Sequence, residues 1–264
     1  MTAGDNGPMV CYDGDLSIPG VPGPAAPVTM TTHGIAGSQT GRLLPTGRAQ
    51  DSFDLGDGLG QVSATIVDFA RALVMLDARE VLPHFGYASI AEATQARVDA
   101  DAALNAALER VRLAAAEASG MGDCTGKDSP KLALLAPSEG QGQGGGPPKL
   151  ACRYFVNPGR AEMHPTIAMT AAQAIAAGCL LQHGVARAAL GTQQLAKETS
   201  IAVDGGSEYS FAIEHAKGIF PVRVTGRCFD ATDGPTLEHF PDGVPVSASY
   251  TTTVRPVAAG RAFI

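Results

Sequence analysis

The chain has 264 residues, of which 45% are hydrophobic and 17% charged, so a packed core is possible and a disordered chain is excluded. The net charge of −7 excludes the basic surface that nucleic-acid binding requires. The 32 glycines and 18 prolines predict short elements joined by many turns, which excludes a simple helix bundle.

Localisation follows from the apolar runs and the cysteines. No apolar run approaches the roughly 20 residues that span a bilayer, and the acidic first residues are unlike a signal peptide. The five cysteines are scattered and form no CxxC pair, which is typical of reduced thiols. We therefore expect a cytoplasmic protein with no metal site and neither membrane nor nucleic acid as a partner.

The first 36 residues, which include GVPGPAAP, are predicted to be a loop-rich segment. Residues 37–264 are predicted to form a single domain. Within that domain, SEGQGQGGGPP at 138–148 is predicted to be a low-complexity loop, because no Gly-Lys-Ser/Thr follows it to hold a phosphate.

Apolar periodicity predicts an α+β fold of mainly antiparallel strands with two main helices. One helix starts near Asp101, with Asp99 or Asp101 as its cap, and Gly120 is placed to end it. The other is rich in alanine, spans about 170–183, and has no polar face, as a helix buried on all sides would. The predicted strands are 62–70, 72–78, 131–137, 150–156, 207–216, 219–227 and 244–255.

The segment NPGRAEMHPTIAMTAAQAIAA (157–177) leads from a strand into the second helix, which Thr170 is placed to cap. A helix N-terminus offers free N–H groups and the positive end of the dipole, which suit a carboxylate. Arg160 and His164 precede it and are placed to add charge-assisted hydrogen bonds. The alternative, in which Thr170 is only a cap and His164 only a loop residue, stays open.

Cys179 and His183 are four residues apart on the same predicted helix and would share one face. Such a pair is able to transfer protons. We favour the alternative of a small buried thiol beside a helix-end histidine, because the C-terminal end of a helix does not suit an anion.

Several segments resemble those of the PrpF family, which includes methylaconitate isomerases, oxalomesaconate tautomerases and aconitate isomerases. They occur in the family's order and cover nearly the whole chain. The segments are GVPGPAAPV…GSQTGRLLPTGRAQDSF (20–53), VSATIVDFARALVMLDARE (62–80) with Asp68, ERVRLAAAEASGMG (109–122), KLALLAP (131–137), CRYFVNP (152–158), HPTIAMT (164–170), HAKGIFPVRV (215–224) and TTTVRPVAAG (251–260).

The resemblance implies a diaminopimelate-epimerase-like fold of two similar halves, each with strands wrapped around a central helix and substrate in the cleft between them. This chain resembles the C-terminal half. The implied reaction moves a double bond in an unsaturated di- or tricarboxylate by proton transfer, without cofactor or metal. The implied substrate-binding residues are His164, Thr170, Arg160, Ser38 and Thr40.

The family's proton-transfer lysine and cysteine belong to its first domain, and no segment here matches them, so the catalytic residues stay unknown. An isomerase or tautomerase is therefore one expectation. The alternative is a catalytically inactive remnant or partner subunit that lacks the first domain. An unrelated small-molecule-binding α+β domain ranks last. The expected partners are a small carboxylate substrate and either a second copy of the chain or a complementary N-terminal half.

Overall fold

One large β-sheet organises the chain. The computed structural model describes residues 2–4, 7–9, 11–18, 21–139, 146–160, 162–191, 193, 195, 197–201, 207–228 and 247–254. Its strands are β1 (Thr2–Gly4), β2 (Gly7–Met9), β3 (Ala26–His33), β4 (Asp51–Asp54), β5 (Gln61–Phe69), β6 (Arg71–Asp77), β7 (Lys131–Pro137), β8 (Lys149–Asn157), β9 (Glu162–His164), β10 (Lys197–Ile201), β11 (Ser207–His215), β12 (Gly218–Gly226) and β13 (Ser247–Val254). Its α-helices are α1 (Ala78–Val81), α2 (Gln95–Asp99), α3 (Ala102–Ala118), α4 (Met169–Leu180) and α5 (Val185–Leu190).

The sheet contains eleven of these strands, and β1 and β2 form a separate pair. The order is β3-β13-β12-β11-β8-β7-β6-β5-β4, while β10 pairs with β11 and β9 with β8. Most neighbours are antiparallel, as predicted, but β6 and β7 run parallel, as do β8 and β11. The helices and the mixed sheet confirm the α+β class.

Helix α4 lies in the larger of two apolar cores, and α3 lies in the other core. Ten of the twelve α4 residues are buried, which confirms the prediction of a helix surrounded by protein. The helix contacts β5 and β6 and also β12 and β13, which lie far apart in the strand order. A sheet that touches one helix in both of these regions has to curve around it.

The ends of α3 follow the predicted signals. Asp101 is the cap, and its Oδ1 accepts a hydrogen bond from the N–H of Leu104 at 2.9 Å. Gly120 follows the helix with a φ of +74°, a left-handed conformation that glycine adopts without steric cost. Both predictions are confirmed, with Asp101 rather than Asp99 as the cap.

The ends of α4 differ from the prediction. Ala168, not Thr170, occupies the cap position and makes no side-chain bond, so the prediction of a threonine cap is wrong. The chain becomes helical at Met169, and Thr170 lies inside the first turn. The helix stops at Leu180 rather than near 183, because Leu181 is extended and His183 has a φ of +62°.

The loop prediction for residues 1–36 is wrong for β3. Its β-branched residues favour an extended chain, and it pairs along its length with β13, from Ala26 opposite Val254 to His33 opposite Ser247. The domain boundary at 36/37 stays a prediction. Of the low-complexity loop, residues 140–145 lie outside the described residues, as do 244–246 and 255 of the last predicted strand.

The other predicted strands agree with β5, β6, β7, β8, β11 and β12 to within one or two residues. They were recognisable because each is an apolar, β-branched run bounded by turn residues. The helices that the structure describes include none that is both long enough and apolar enough to cross a membrane.

Candidate functional site

The turn at 37–40, which carries the GSQT motif, wraps around one buried carboxylate. Asp68, near the end of β5, has no exposed surface. Its carboxylate accepts hydrogen bonds from the hydroxyl groups of Ser38 at 3.0 Å and Thr40 at 2.9 Å. It also accepts hydrogen bonds from the main-chain N–H of Gln39 at 2.7 Å and from that of Thr40 at 2.6 Å. These charge-assisted bonds fix the turn against β5.

The hydroxyl groups of Ser38 and Thr40 therefore already donate hydrogen bonds within the described structure. A hydroxyl group has one proton to donate; that of Ser38 is directed to Asp68, and that of Thr40 to Asp68 at 2.9 Å or to the carbonyl oxygen of Arg42 at 3.1 Å. A substrate carboxylate needs donors, and these two side chains have none left to offer. Their role in substrate binding stays a prediction.

Arg160 lies in a single turn of 3-10 helix, Pro158–Arg160, between β8 and β9. Its side chain is exposed and lines a hollow of about 740 Å³ together with residues of α3, including Glu109 and Arg110. Helix α3 packs on the other core from α4. The structure therefore does not bring Arg160 together with Thr170.

The start of α4 has unsatisfied polar groups. The N–H groups of Met169, Thr170 and Ala171 have no hydrogen-bond partner among the described residues, and no side chain caps the helix. One turn further on, Gln173 is fully buried; its Nε2 donates to Oγ1 of Thr32 at 2.7 Å, and its Oε1 has no partner in the described structure. An uncapped N-terminus combines free donors with the positive end of the helix dipole.

His164 lies on β9, five residues before Met169, and is paired with Tyr154 of β8. The two ring centroids are 6.0 Å apart. Nδ1 of His164 accepts the N–H of Thr166 at 3.1 Å, so in the neutral ring the proton is on Nε2. The second nitrogen is then a hydrogen-bond donor.

Tyr154 is 3% exposed, and no described residue bonds its hydroxyl group. Burial raises the pKa of Tyr154 to about 12, so the hydroxyl keeps its proton at neutral pH. It is therefore a donor that the described part of the chain leaves unused.

Lys131, at the start of β7, lies diagonally across from Tyr154 on the same face of the sheet, because Ala133 is directly opposite Tyr154. It is 4% exposed, and its Nζ donates to the carbonyl oxygen of Val156 at 2.8 Å. Burial lowers the pKa of Lys131, while the charge of Asp128 acts in the opposite direction. No carboxylate in the described part of the chain lies within ion-pair distance of it.

We call Lys131, Tyr154, His164 and the first three N–H groups of α4 the donor cluster. Its members are donors, and no acidic side chain is bonded to them in the described structure. Such a set suits a carboxylate or an enolate oxygen. The sequence analysis identified His164 and the start of the helix, but it missed Lys131 and Tyr154. The only sequence signal for these two residues is that each is a polar residue within an apolar strand.

Cys179 and His183 do not form a pair. Cys179 is fully buried, and burial raises the pKa of its thiol, whereas His183 is exposed beyond the end of α4. The structure confirms the alternative of a buried thiol. Within the described ranges, no three His, Cys, Asp or Glu side chains come together in a group able to hold a metal ion.

A solved structure has a similar fold. The crystal structure of methylitaconate-delta-isomerase matches with a TM-score of 0.64 and 20% identity, over 97% of this chain and 64% of that one. This chain therefore shares the fold of that structure, with the large mixed sheet described above.

Sequence comparison identifies the family. The family model described as PrpF protein matches residues 4–232. YbhH of Escherichia coli (strain K12) is 32% identical over 97% of this chain and 60% of its own length. The (4E)-oxalomesaconate Delta-isomerase of Novosphingobium sp. (strain KA1) is 32% identical over 90% of this chain and 59% of its own.

The chain belongs to the PrpF family. This confirms the resemblance found in the sequence and removes the alternative of an unrelated α+β domain. The chain spans about three fifths of the length of these relatives.

Proposed function

We propose that the chain is an isomerase or tautomerase of the PrpF type that moves a double bond in an unsaturated di- or tricarboxylate by cofactor-independent proton transfer. The oxalomesaconate isomerase among its relatives supports the reaction class. The observation that carries the proposal is the donor cluster, which collects a buried lysine, an unused phenol, an imidazole and an uncapped helix start without a bonded acid. An inactive remnant has no need of such unused donors.

In the proposed reaction, a base removes a proton bound to carbon, and the electron pair is delocalised into a dienolate that ends on a carboxylate or keto oxygen. The proton then returns to a different carbon, so the double bond moves and no oxidant is consumed. The donor cluster binds the charged oxygens: the α4 amides and His164 bind carboxylate groups of the substrate, and the Tyr154 hydroxyl donates to the oxygen where charge develops.

Long-range electrostatic repulsion opposes the binding of a polycarboxylate substrate. The net charge of −7 repels a polycarboxylate at a distance, so affinity has to come from local donors. The unpaired Lys131 supplies positive charge at the site itself. We propose no role for Lys131 as the base, because its Nζ already donates to Val156.

We also propose how the site is enclosed and where the protein works. A sheet curved around α4 supports a diaminopimelate-epimerase-like half, and the second wall of the cleft would come from a second copy or from a complementary half. The cytoplasm suits the five cysteines, all of which are free thiols. The molecular mass in solution distinguishes a second copy from a complementary half, because two copies have twice the 26.9 kDa of one chain.

Proton exchange in D₂O tests the activity. The purified chain is incubated with aconitate, methylaconitate or oxalomesaconate between pH 6 and 9, and deuterium at carbon is followed by NMR. We expect incorporation at an allylic position, and about a 100-fold slower rate in Tyr154→Phe, which keeps the ring and loses the donor. Tyr12→Phe is the matched control, because Tyr12 is 43% exposed. Absence of deuterium with every substrate would overturn the proposal.

A further inference from the structure

His215 is the last residue of β11 and is outside the donor cluster defined above. It is 8% exposed, and its Nδ1 accepts the N–H of Lys217 at 3.2 Å. In the described structure Nε2 has no partner. His164 repeats this arrangement, since its Nδ1 accepts the N–H of the residue two positions on, Thr166. Both rings are thus held in the same way, with the proton on Nε2 in the neutral form.

Strand register places the two histidines side by side. Glu214 is opposite Ala151 of β8, so His215 comes alongside Cys152, while His164 is opposite Tyr154. Strand β7 occupies the other edge of β8, so β9 and β11 lie along the same edge. Two residues along a strand correspond to about 6.6 Å.

Both rings face the α4 core. Tyr154 and Ile213 belong to that core, His164 is directly opposite Tyr154, and His215 is two residues after Ile213. Side chains two residues apart on a strand share a face. The two Nε2–H groups and the Tyr154 hydroxyl therefore lie on one side of the sheet, the side that carries α4.

The electrostatic surroundings keep His215 neutral. Burial lowers the pKa of His215, and the nearby charges of Arg153 and His164 act in the same direction, against the opposing effect of Glu214. A neutral ring with a fixed tautomer is a directed donor that does not have to lose a proton first.

We propose that His164 and His215 form a pair of imidazole donors that binds one carboxylate group of the substrate through their Nε2–H groups. This deepens the proposed function and rests on it, since it names the residues for one substrate carboxylate. Two convergent donors match the two oxygens of a carboxylate. The start of α4 then remains for another carboxylate of the same molecule.

Two substitutions at position 215 separate a binding role from a structural one. His215→Asn retains an acceptor near the position of Nδ1 and so keeps the bond from Lys217, but it has no donor at the position of Nε2. His215→Gln retains a donor near Nε2 and loses the acceptor. Aconitate is the probe, binding is measured by titration calorimetry, and stability is measured by urea unfolding.

We expect His215→Asn to weaken aconitate binding by about tenfold or more with little change in stability, because a hydrogen bond to a charged group is lost. His215→Gln should stay within a few-fold of the native affinity. The control is His84→Asn, because His84 is exposed, and its affinity should not change. Native binding by His215→Asn, together with destabilisation by His215→Gln, would show a turn-holding role and overturn the inference.

NMR of the native protein keeps the inference testable if a variant does not fold. Imidazole ¹H–¹⁵N spectra should show the Nε2–H tautomer for both histidines, and aconitate should shift these signals but not those of His84. Unmoved signals overturn the inference. Shifted signals without deuterium exchange retain the pair and reject the isomerase, whereas exchange with unmoved signals retains the isomerase and rejects the pair.

Discussion

At the scale of single residues, Asp68 combines burial with four accepted hydrogen bonds. Asp68→Asn removes the charge that strengthens all four bonds; its one oxygen can keep the N–H groups of Gln39 and Thr40, while its NH₂ replaces the oxygen that accepts from Ser38. We expect the free energy of unfolding to fall by about 2–3 kcal/mol in urea titrations. The control Asp57→Asn changes a carboxylate that is 82% exposed and should be nearly neutral. Equal stability of the two variants would contradict this account of the turn.

His215 gives a prediction of pH dependence. Its pKa is lower in the folded protein than in the unfolded chain, where it is about 6.5. The unfolded state therefore binds more protons in this range, and the stability that neutral His215 contributes is full above pH 6.5 and lost as the pH falls. The unfolding free energy of the native protein should fall relative to that of His215→Asn between pH 7.5 and pH 5. A native protein that gains stability relative to the variant at acidic pH would refute the shift.

The candidate site was only partly predictable at this scale. His164 and the start of α4 are neighbours in sequence, so a local pattern was enough to find them. Lys131 and His215 lie 84 residues apart, and only the register of β7, β8 and β11 brings them to one face. A sequence pattern carries no such register, because strand pairing depends on packing across the whole sheet.

At the scale of elements, helix ends were predictable where a side chain made the cap. Asp101 caps α3 through Leu104 and also accepts the hydroxyl of Tyr87 at 3.1 Å. Thr170 failed as a cap because the chain at Ala168 already turns into the helix without a side-chain bond. Strand β3 was missed because proline and glycine dominate the segment before it, while its stability comes from pairing with the distant β13.

The α3 cap leads to a test at this scale. Asp101→Ala should lower the free energy of unfolding by about 1–2 kcal/mol, because the helix loses its cap and Tyr87 its acceptor. Asp101→Asn retains a good capping group and should lose less than half as much. Chemical denaturation of both variants checks this, and equal losses would mean that the cap does not stabilise the helix.

At the scale of the whole molecule, the curved sheet and its buried helix explain where the donors collect. The sheet contacts α4 through β5, β6, β12 and β13, while Lys131, Tyr154 and His164 lie on the face of the sheet that carries the α4 core. The wrapping was expected from the family resemblance and the apolar helix, whereas the parallel pairs within the sheet were not. The chain spans about three fifths of its relatives' length, and all of the proposed donors lie within it.

Amide chemical shifts measured during an aconitate titration test the central claim most directly. We predict saturable shifts at Met169, Thr170 and Ala171, whose N–H groups have no partner among the described residues. The start of α3 is the internal control and should stay unchanged, because Asp101 already caps it. Unmoved α4 amides, or equal shifts at both helix starts, would contradict a polycarboxylate site at the start of α4.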